Sequence, residues 1–547
     1  MEFYSRSSSR RFQDHVFVWD KKFAVRQEDA HRHENNRLTP DGEETIIEAF
    51  LTQFGSRLDP PQYAYTALRE FLEDANEDDL RMNTTPTQHN QTNILLDDRR
   101  DDTGWQDVTN VRHFARDWNS YAGGYPPEGE KILYSLMNAG DLYEKRMKSM
   151  LQDGAERRIL YISNMSSICG LALISTTPRY QAPVIRDFLQ RYISYRVYLG
   201  VSMLPNHLGF TLEFHLPYYA LRQHDSKLQD PRGLRRCGKF IPGRSASSLP
   251  ECLYEAQISV VIVGVDEWVW TAYCCTENYF GSEETVQFYH ERGLDAPSGG
   301  ARPTHYPVWN PREYFLFILA LRVNQITKEW SNTVIALEER LQYHEENVFN
   351  EDARVASLVD DKTFRRTKEY TTITDLLRLL HNALVKIIES WENFEKGEIQ
   401  YFEVEEYQAL RKSWHSYLAA ISKDMSELRY LRRSLLQRIE MFDNKRSGLV
   451  NASAMVETRV ATLQGNDIGR LTRVTVVGQE SSLSALLWQL ILDQAIFSMA
   501  IMPREASWVV YAILITLLTG FTVTVAFREQ LVSFIASVWH EYKGGNT

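Results

Sequence analysis

The stretch REYFLFILALRVNQITKEWSNTVIALEERLQYHEE, Arg312–Glu346, keeps apolar residues at spacings of three and four along its length, the period of a helix with one buried face. It opens a region that holds no proline between Pro311 and Pro503, and whose only glycines are Gly397, Gly448, Gly465, Gly469 and Gly478. Proline costs a helix interior about 3 kcal/mol and glycine about 1 kcal/mol, so purging both predicts long helices. TTITDLLRLLHNALVKIIESWENFEKG, Thr371–Gly397, repeats the pattern. From about Glu403 to Thr475 the pattern barely pauses, and at 1.5 Å per residue such a helix would be on the order of 100 Å long. Its apolar face must be covered by other helices or by copies of itself.

Upstream the period changes. RILYIS (158–163) reads as a strand and APVIRDFLQRYI (182–193) as an amphipathic helix. GFTLEFHLPYYALR (209–222) and AQISVVIVGVDEWVWTAYCCT (256–276) read as strands, the second long, β-branched and aromatic. Strands alternating with helices predict an α/β domain over residues 106–310. Glu213 and His215, at i and i+2, share a strand face and are a candidate metal pair, with a satisfied polar pair at a sheet edge as the alternative.

Residues 1–105 mix polar clusters with short apolar pieces. HRHENNRLTPDGEE (31–44) and LDDRRDDTGW (96–105) bracket the helix candidates ETIIEAFLTQF (44–54) and YTALREFLEDA (65–75). This segment reads as a partly disordered N-terminal arm. His31 and His33 sit in a polar stretch that a solvated loop explains as well as a metal does.

The 547 residues suffice for two or three units with sizeable cores. A net charge of −11 argues against a nucleic-acid partner, which asks for a basic balance. The five cysteines (Cys169, Cys237, Cys252, Cys274 and Cys275) form no C-x-x-C pair and are odd in number, which fits neither a disulfide framework nor a zinc site. They fit a reduced, cytosolic compartment for the bulk of the chain. The first thirty residues carry no apolar run of the signal-peptide kind. No P-loop, GxSxG, HExxH or dinucleotide fingerprint appears, and Cys274 and Cys275, within a strand run, read as core rather than nucleophile, so no enzyme activity is expected.

Near the C-terminus, WVVYAILITLLTGFTVTVAF (508–527) has no charged residue and is long enough for one bilayer crossing. Trp508 and Tyr511 suit one interface and Arg528 stops the run at the other. The preceding run, Leu483–Ile501, is apolar apart from Ser484, Gln489, Asp493, Gln494 and Ser498. An aspartate at mid-membrane costs roughly 2.5–3.5 kcal/mol, so this run would cross only paired or facing water. The two runs, joined by MPREAS (502–507), are expected to form a transmembrane hairpin over 476–530, with a C-terminal tail over 531–547. Arg470, Arg473 and Arg528 then place both termini in the cytosol.

An α/β domain, a long helical stalk over 311–475 and a short terminal hairpin form a layout that resembles the CorA-like divalent-cation transporters. MFDNKRSGLVNASAMVETRVATLQGNDIGRLTRVTVV (441–477) looks like the base of their stalk. VWNPREYFLFILALRVNQITKEWSN (308–332) and LGFTLEFHLPYYALR (208–222) resemble the divergent CorA-like proteins of filamentous fungi. The resemblance spans roughly residues 155–530. It implies a homopentamer in contact with membrane lipid that moves Mg²⁺ or a related divalent ion and carries no cofactor. It also implies a Gly-Met-Asn motif at the pore mouth. In AIFSMAIMP (495–503), Ser498, Met499 and Ala500 occupy that place and only Met499 is kept. Alanine has no side-chain oxygen to offer a hydrated Mg²⁺. A second departure is GQESSLSALLWQLILDQ (478–494), longer and more polar than the family's continuation of the stalk.

Thr475, Ser482, Gln489 and Asp493 lie near one helical face, at spacings of seven, seven and four. In a pentamer they would ring a water-filled path with Asp493 supplying oxygen ligands; the alternative is that Asp493 is satisfied by a neighbouring helix. Two functions compete: a divalent-cation channel, and a non-conducting, membrane-anchored oligomeric interaction protein.

Overall fold

In the computed structural model, the structure describes residues 19–27, 30, 36–38, 45–52, 65–81, 92–101, 130–149, 155–204, 208–225, 227–240, 250–346, 360, 361, 363–402, 408–500, 513, 516 and 517. The chain divides into two compact units, Met1–Val450 and Asn451–Thr547.

The first unit is built on an eight-stranded mixed sheet. Its strands are β1 (Ile94–Asp101), β2 (Glu130–Met137), β3 (Arg157–Ser163), β4 (Tyr198–Met203), β5 (Phe210–Gln223), β6 (Cys237–Lys239), β7 (Glu251–Gly264) and β8 (Trp270–Thr276). The order is β2-β1-β3-β8-β7-β5-β4, with β6 pairing β7. Among the described strands only β3 and β8 pair parallel.

Alternation along these strands makes two cores. Phe210, Leu212, Phe214, Leu216 and Tyr218 of β5 join Tyr254, Ile258, Val260 and Ile262 of β7 in one core, with Trp270 and Cys274 of β8. Val261, Val263, Tyr273 and Cys275 face the other way and join Leu160 and Ile162 of β3 in the second. Successive side chains of a strand point to opposite faces, so a sheet apolar on both needs a cover on each.

The second core is covered by α1 (Ile46–Thr52), α2 (Thr66–Leu72), α3 (Glu77–Arg81), α4 (Ala139–Ser149), α5 (Ser167–Thr176) and α6 (Ala182–Ile193). The first is covered by α7 (Val286–Arg292), α8 (Pro311–Glu346), α9 (Arg365–Gly397) and the start of α10 (Gln408–Ala500). α8 lies along β5 and buries Phe315, Leu319, Ile326, Trp330 and Leu337. α9 buries Leu377, Leu384, Ile388 and Trp391, and α10 buries Trp414, Leu418, Ile421, Met425, Leu428 and Leu435. Ion pairs Arg378–Asp443 and Arg429–Glu392 join α9 to α10, and Arg438–Glu338 joins α10 to α8.

Three expectations are corrected. Residues 256–276 hold two strands rather than one. β7 and β8 form an antiparallel hairpin, because the Asp266 side chain accepts from the N–H groups of Trp268 and Val269 and closes a turn. The N-terminal segment does not end as an arm: Ile94–Asp101 is an interior strand between β2 and β3. The third is the fold class at its C-terminal end. No helix among the described residues is long and apolar enough to cross a membrane, so the two-helix transmembrane hairpin and the multi-pass integral placement with cytosolic termini are not borne out. The backbone from Leu483 to Ala500 continues α10 instead of starting a separate span, as expected of a stretch whose first proline is Pro503. Its polar residues dilute its hydropathy. Of Trp508–Phe527, only Ile513, Thr516 and Leu517 are among the described residues.

α10 runs for 93 residues. Leu449 is the last buried apolar residue of α10 among the residues whose side chains are described, and residues 454–473 are all exposed. Gly465 and Gly469 lie on this exposed part, where an added Cβ would meet nothing within 4 Å. Replacing either by alanine in an isolated helix is expected to stabilise it by about 0.5–1 kcal/mol, read as a rise in helical content and unfolding temperature by circular dichroism. A loss instead would mean that another chain approaches these glycines.

Candidate functional site

The cross-strand register places His215 of β5 opposite Ser259 of β7. Its Nδ1 lies 2.8 Å from Ser259 Oγ and its Nε2 lies 2.7 Å from Glu213 Oε1. Arg191, from the last turn of α6, donates to both Glu213 oxygens at 2.7 Å. Gln257 Nε2 donates to Ser259 Oγ at 2.9 Å, and its backbone N–H donates to Glu277. Glu277 in turn holds Arg235, whose Nη2 donates to the Tyr192 carbonyl. Arg232 pairs with Asp230 and donates to Tyr192 Oη. A polar belt thus runs beneath α6, through a layer otherwise filled by Leu189, Ile193 and Val261.

Ser259, His215 and Glu213 have the donor–acceptor order of a nucleophile relay, yet Ser259 and His215 are 0% exposed and the Phe188 ring lies 5.0 Å from the imidazole. Burial lowers the His215 pKa, and the neutral ring suits a site already balanced by Arg191 and Glu213. Burial raises Glu213, but its bonds to His215 and Arg191 outweigh that and hold it ionised. The arrangement orders a core rather than presenting a reactive group.

The Glu213–His215 pair expected from the sequence is therefore real and satisfied, but β5 lies one strand inside the edge. Cys274 and Cys275 are fully buried, and burial raises both thiols, which removes them as nucleophiles. His31 and His33 lie outside the described residues.

The belt reaches the surface at Arg191. Its guanidinium stacks 4.0 Å from the centroid of Tyr198, the first residue of edge strand β4. Tyr198 lines a cleft of about 750 Å³ between β4 and α9, together with Tyr195, Arg196, Lys386, Glu389, Asn393 and Glu398. Tyr195 holds φ 53°, the left-handed region that a bulky residue avoids, and its hydroxyl donates to the Tyr218 carbonyl at 2.7 Å. Glu398 accepts the outward N–H of Val201, so a carboxylate occupies the place of a further strand. Burial pushes Glu398 up to about 7 against the pull of that N–H, and Glu313, at the start of α8, is pushed up to about 7 by burial against the Arg302 charge. Neither residue was singled out by sequence, since Glu398 meets Val201 across 197 positions.

The residues assigned by helical spacing and by the family resemblance occupy a different unit. Thr475, Ser482, Gln489, Asp493, Ser498, Met499 and Ala500 all fall on the uninterrupted helical backbone of α10. That places Thr475, Ser482, Gln489 and Asp493 near one another around the helix axis. From Val474 onward only the backbone is described. Among the described residues no group of three His, Cys, Asp or Glu side chains could hold a metal ion.

No family model and no curated protein matches the chain.

Two outcomes follow for this unit. Arg191→Ala leaves Glu213 buried beside a neutral imidazole and is expected to cost on the order of 3 kcal/mol in urea unfolding. The raised carboxylates bind protons in the folded chain that the unfolded chain has released between about pH 4.5 and about pH 7, so their penalty grows through that window and is complete above it. Glu313→Gln should then be nearly neutral at about pH 4.5 and gain on the order of 2 kcal/mol over the wild type at about pH 8. Glu398→Gln should gain less, about 1 kcal/mol, because solvent in the cleft screens the charge.

Proposed function

We propose that the chain works as a homo-oligomer assembled on the exposed part of α10, in divalent-cation transport of the CorA-like kind. The observation that carries this reading is the change in α10 after Leu449. Val456, Val460 and Leu463 are 46%, 46% and 56% exposed, and at 100° per residue they fall within about 60° of one another. An apolar stripe on a helix calls for a cover, and identical stripes on identical chains supply one by symmetry. The order of the parts supports the CorA-like reading: an α/β layer, two long helices packed on it, and a third that continues for 93 residues. The unbroken helical backbone through residues 478–494 also supports a single face bearing Gln489 and Asp493. In such an assembly Asp493 would supply the oxygens that Ala500 lacks, with Mg²⁺ or a related divalent ion as cargo.

Light scattering on the purified full-length chain tests the assembly. A discrete oligomer, pentameric on the family resemblance, is expected, and Val460→Asp with Leu463→Asp should dissociate it while leaving the α/β unit folded. A monomeric wild type sinks the reading. Uptake of Mg²⁺ by cells producing the full chain tests transport: uptake that falls to background in Asp493→Ala supports it. An oligomer that moves no divalent ion would leave the other expectation, an oligomeric interaction protein that does not conduct.

A further inference from the structure

The cleft between β4 and α9 holds a carboxylate, Glu398, that makes no ion pair among the described residues, although Lys386 and Arg196 line the same cleft. Glu398 receives one hydrogen bond, from the Val201 N–H, and no cationic side chain among the described residues pairs with it. Most carboxylates buried in this unit are treated differently: Glu213 has Arg191, Glu277 has Arg235, Glu283 has Arg322 and Glu267 has Arg312. Leaving a partly buried acid unpaired is costly, and it is kept ionised most simply by a cation arriving from solvent.

The lining tells which cation fits. Ser390 and Asn393 offer side-chain oxygens one helical turn apart along α9, and Tyr198, whose ring carries the Arg191 guanidinium, lines the β4 side. Too few acids converge here for a metal ion, since no three-membered group of metal-binding side chains occurs among the described residues. A volume of about 750 Å³ suits an organic molecule rather than a bare ion. Lys386 and Arg196, both exposed, put positive charge at the rim and disfavour a compact multivalent ion, whose charge is concentrated at one point, more than a diamine whose two charges are spread apart.

We propose that this cleft binds a small organic ammonium ion, a primary amine or short diamine, whose charged head sits on Glu398 with Asn393 and Ser390 accepting its N–H groups. This site is independent of α10 and of whether the chain moves metal ions.

Isothermal titration of the full chain with putrescine at about pH 8, with MgCl₂ as competitor, tests it. One saturable site per chain is expected, weakened roughly tenfold or more in Glu398→Gln and strengthened severalfold in Lys386→Ala, which lifts the repulsion at the rim. A merely structural Glu398 would not give variants of opposite sign. Should Glu398→Gln unfold, Asn393→Leu at an exposed position takes its place, with a severalfold loss expected. Absence of saturable binding, equal affinity in the folded Glu398→Gln or Asn393→Leu, or displacement of putrescine by Mg²⁺ at one-to-one stoichiometry would each overturn the proposal.

Discussion

The pairing of β5 with β7, fourteen residues long on each strand, is the constraint on which the first unit depends. Both strands are buried on both faces almost throughout. A sheet in that position must be sandwiched, and the sequence supplies different covers. On one side it places short helices over Val261, Tyr273 and Cys275; on the other it places α8, α9 and the start of α10 over Phe214, Ile258 and Trp270. The polar belt lies on the short-helix side. There α6 brings Arg191 and the Tyr192 and Ile193 carbonyls down onto Glu213 and Arg235. Buried charges give little net stability when paired and cost several kcal/mol when not, so such a belt acts through geometry: only one placement of α6 satisfies it.

The same reasoning explains what the sequence hid. LDDRRDD reads as part of a disordered arm because most of its charges find their partners on another strand. In the sheet Asp97 accepts from Arg157 and from Arg99, and Asp98 takes Arg158 in a two-point bond across the strands. An interior strand thus carries the composition of a linker, and only register reveals it. The β7–β8 turn was obscured for the opposite reason. Strands buried on both faces lose the alternation that marks strands, and the hydrophobic run continues past the bend where only Gly264 and Asp266 signal a break. The long helices were legible because proline and glycine avoidance is a local cost, borne wherever the helix goes. The Glu213–His215 pair was legible because its spacing lies within one strand. Ser259, Arg191 and the Glu398 cleft were not, since each depends on which strand or helix becomes a neighbour.

One buried node ties several of these elements together. Arg312, at the start of α8, donates to Glu267 in the β7–β8 turn and to the Tyr401 carbonyl just before α10. Its guanidinium stacks on Trp19 at 4.4 Å and on Trp414 at 4.8 Å. Trp19 donates to Glu267 and packs on Phe210. A planar cation with several fixed donors can satisfy acceptors and two aromatic faces at once, which a lysine could not. The segment around Trp19 is thereby held to the same point from which two of the long helices set out.

From that point α10 changes character along its length. Up to Leu449 buried apolar residues such as Trp414, Leu418, Ile421, Met425, Leu428 and Leu435 recur every three or four positions. Over residues 454–473 the helix persists although the side chains are exposed. A helix nucleated by a packed segment can propagate at little cost per residue, so continuity alone needs no partner. The composition is what asks for one. A solvated extension is best served by charged residues on all sides and by alanine in place of glycine. This one instead keeps Val456, Val460 and Leu463 on one side, and Gly465 and Gly469 among polar residues elsewhere. Valine and leucine at those positions gain nothing from water, and glycine there weakens the helix unless something approaches its backbone closely. The apolar stripe describes a surface shaped for contact, and a second copy of the same helix is the partner whose stripe matches it by symmetry.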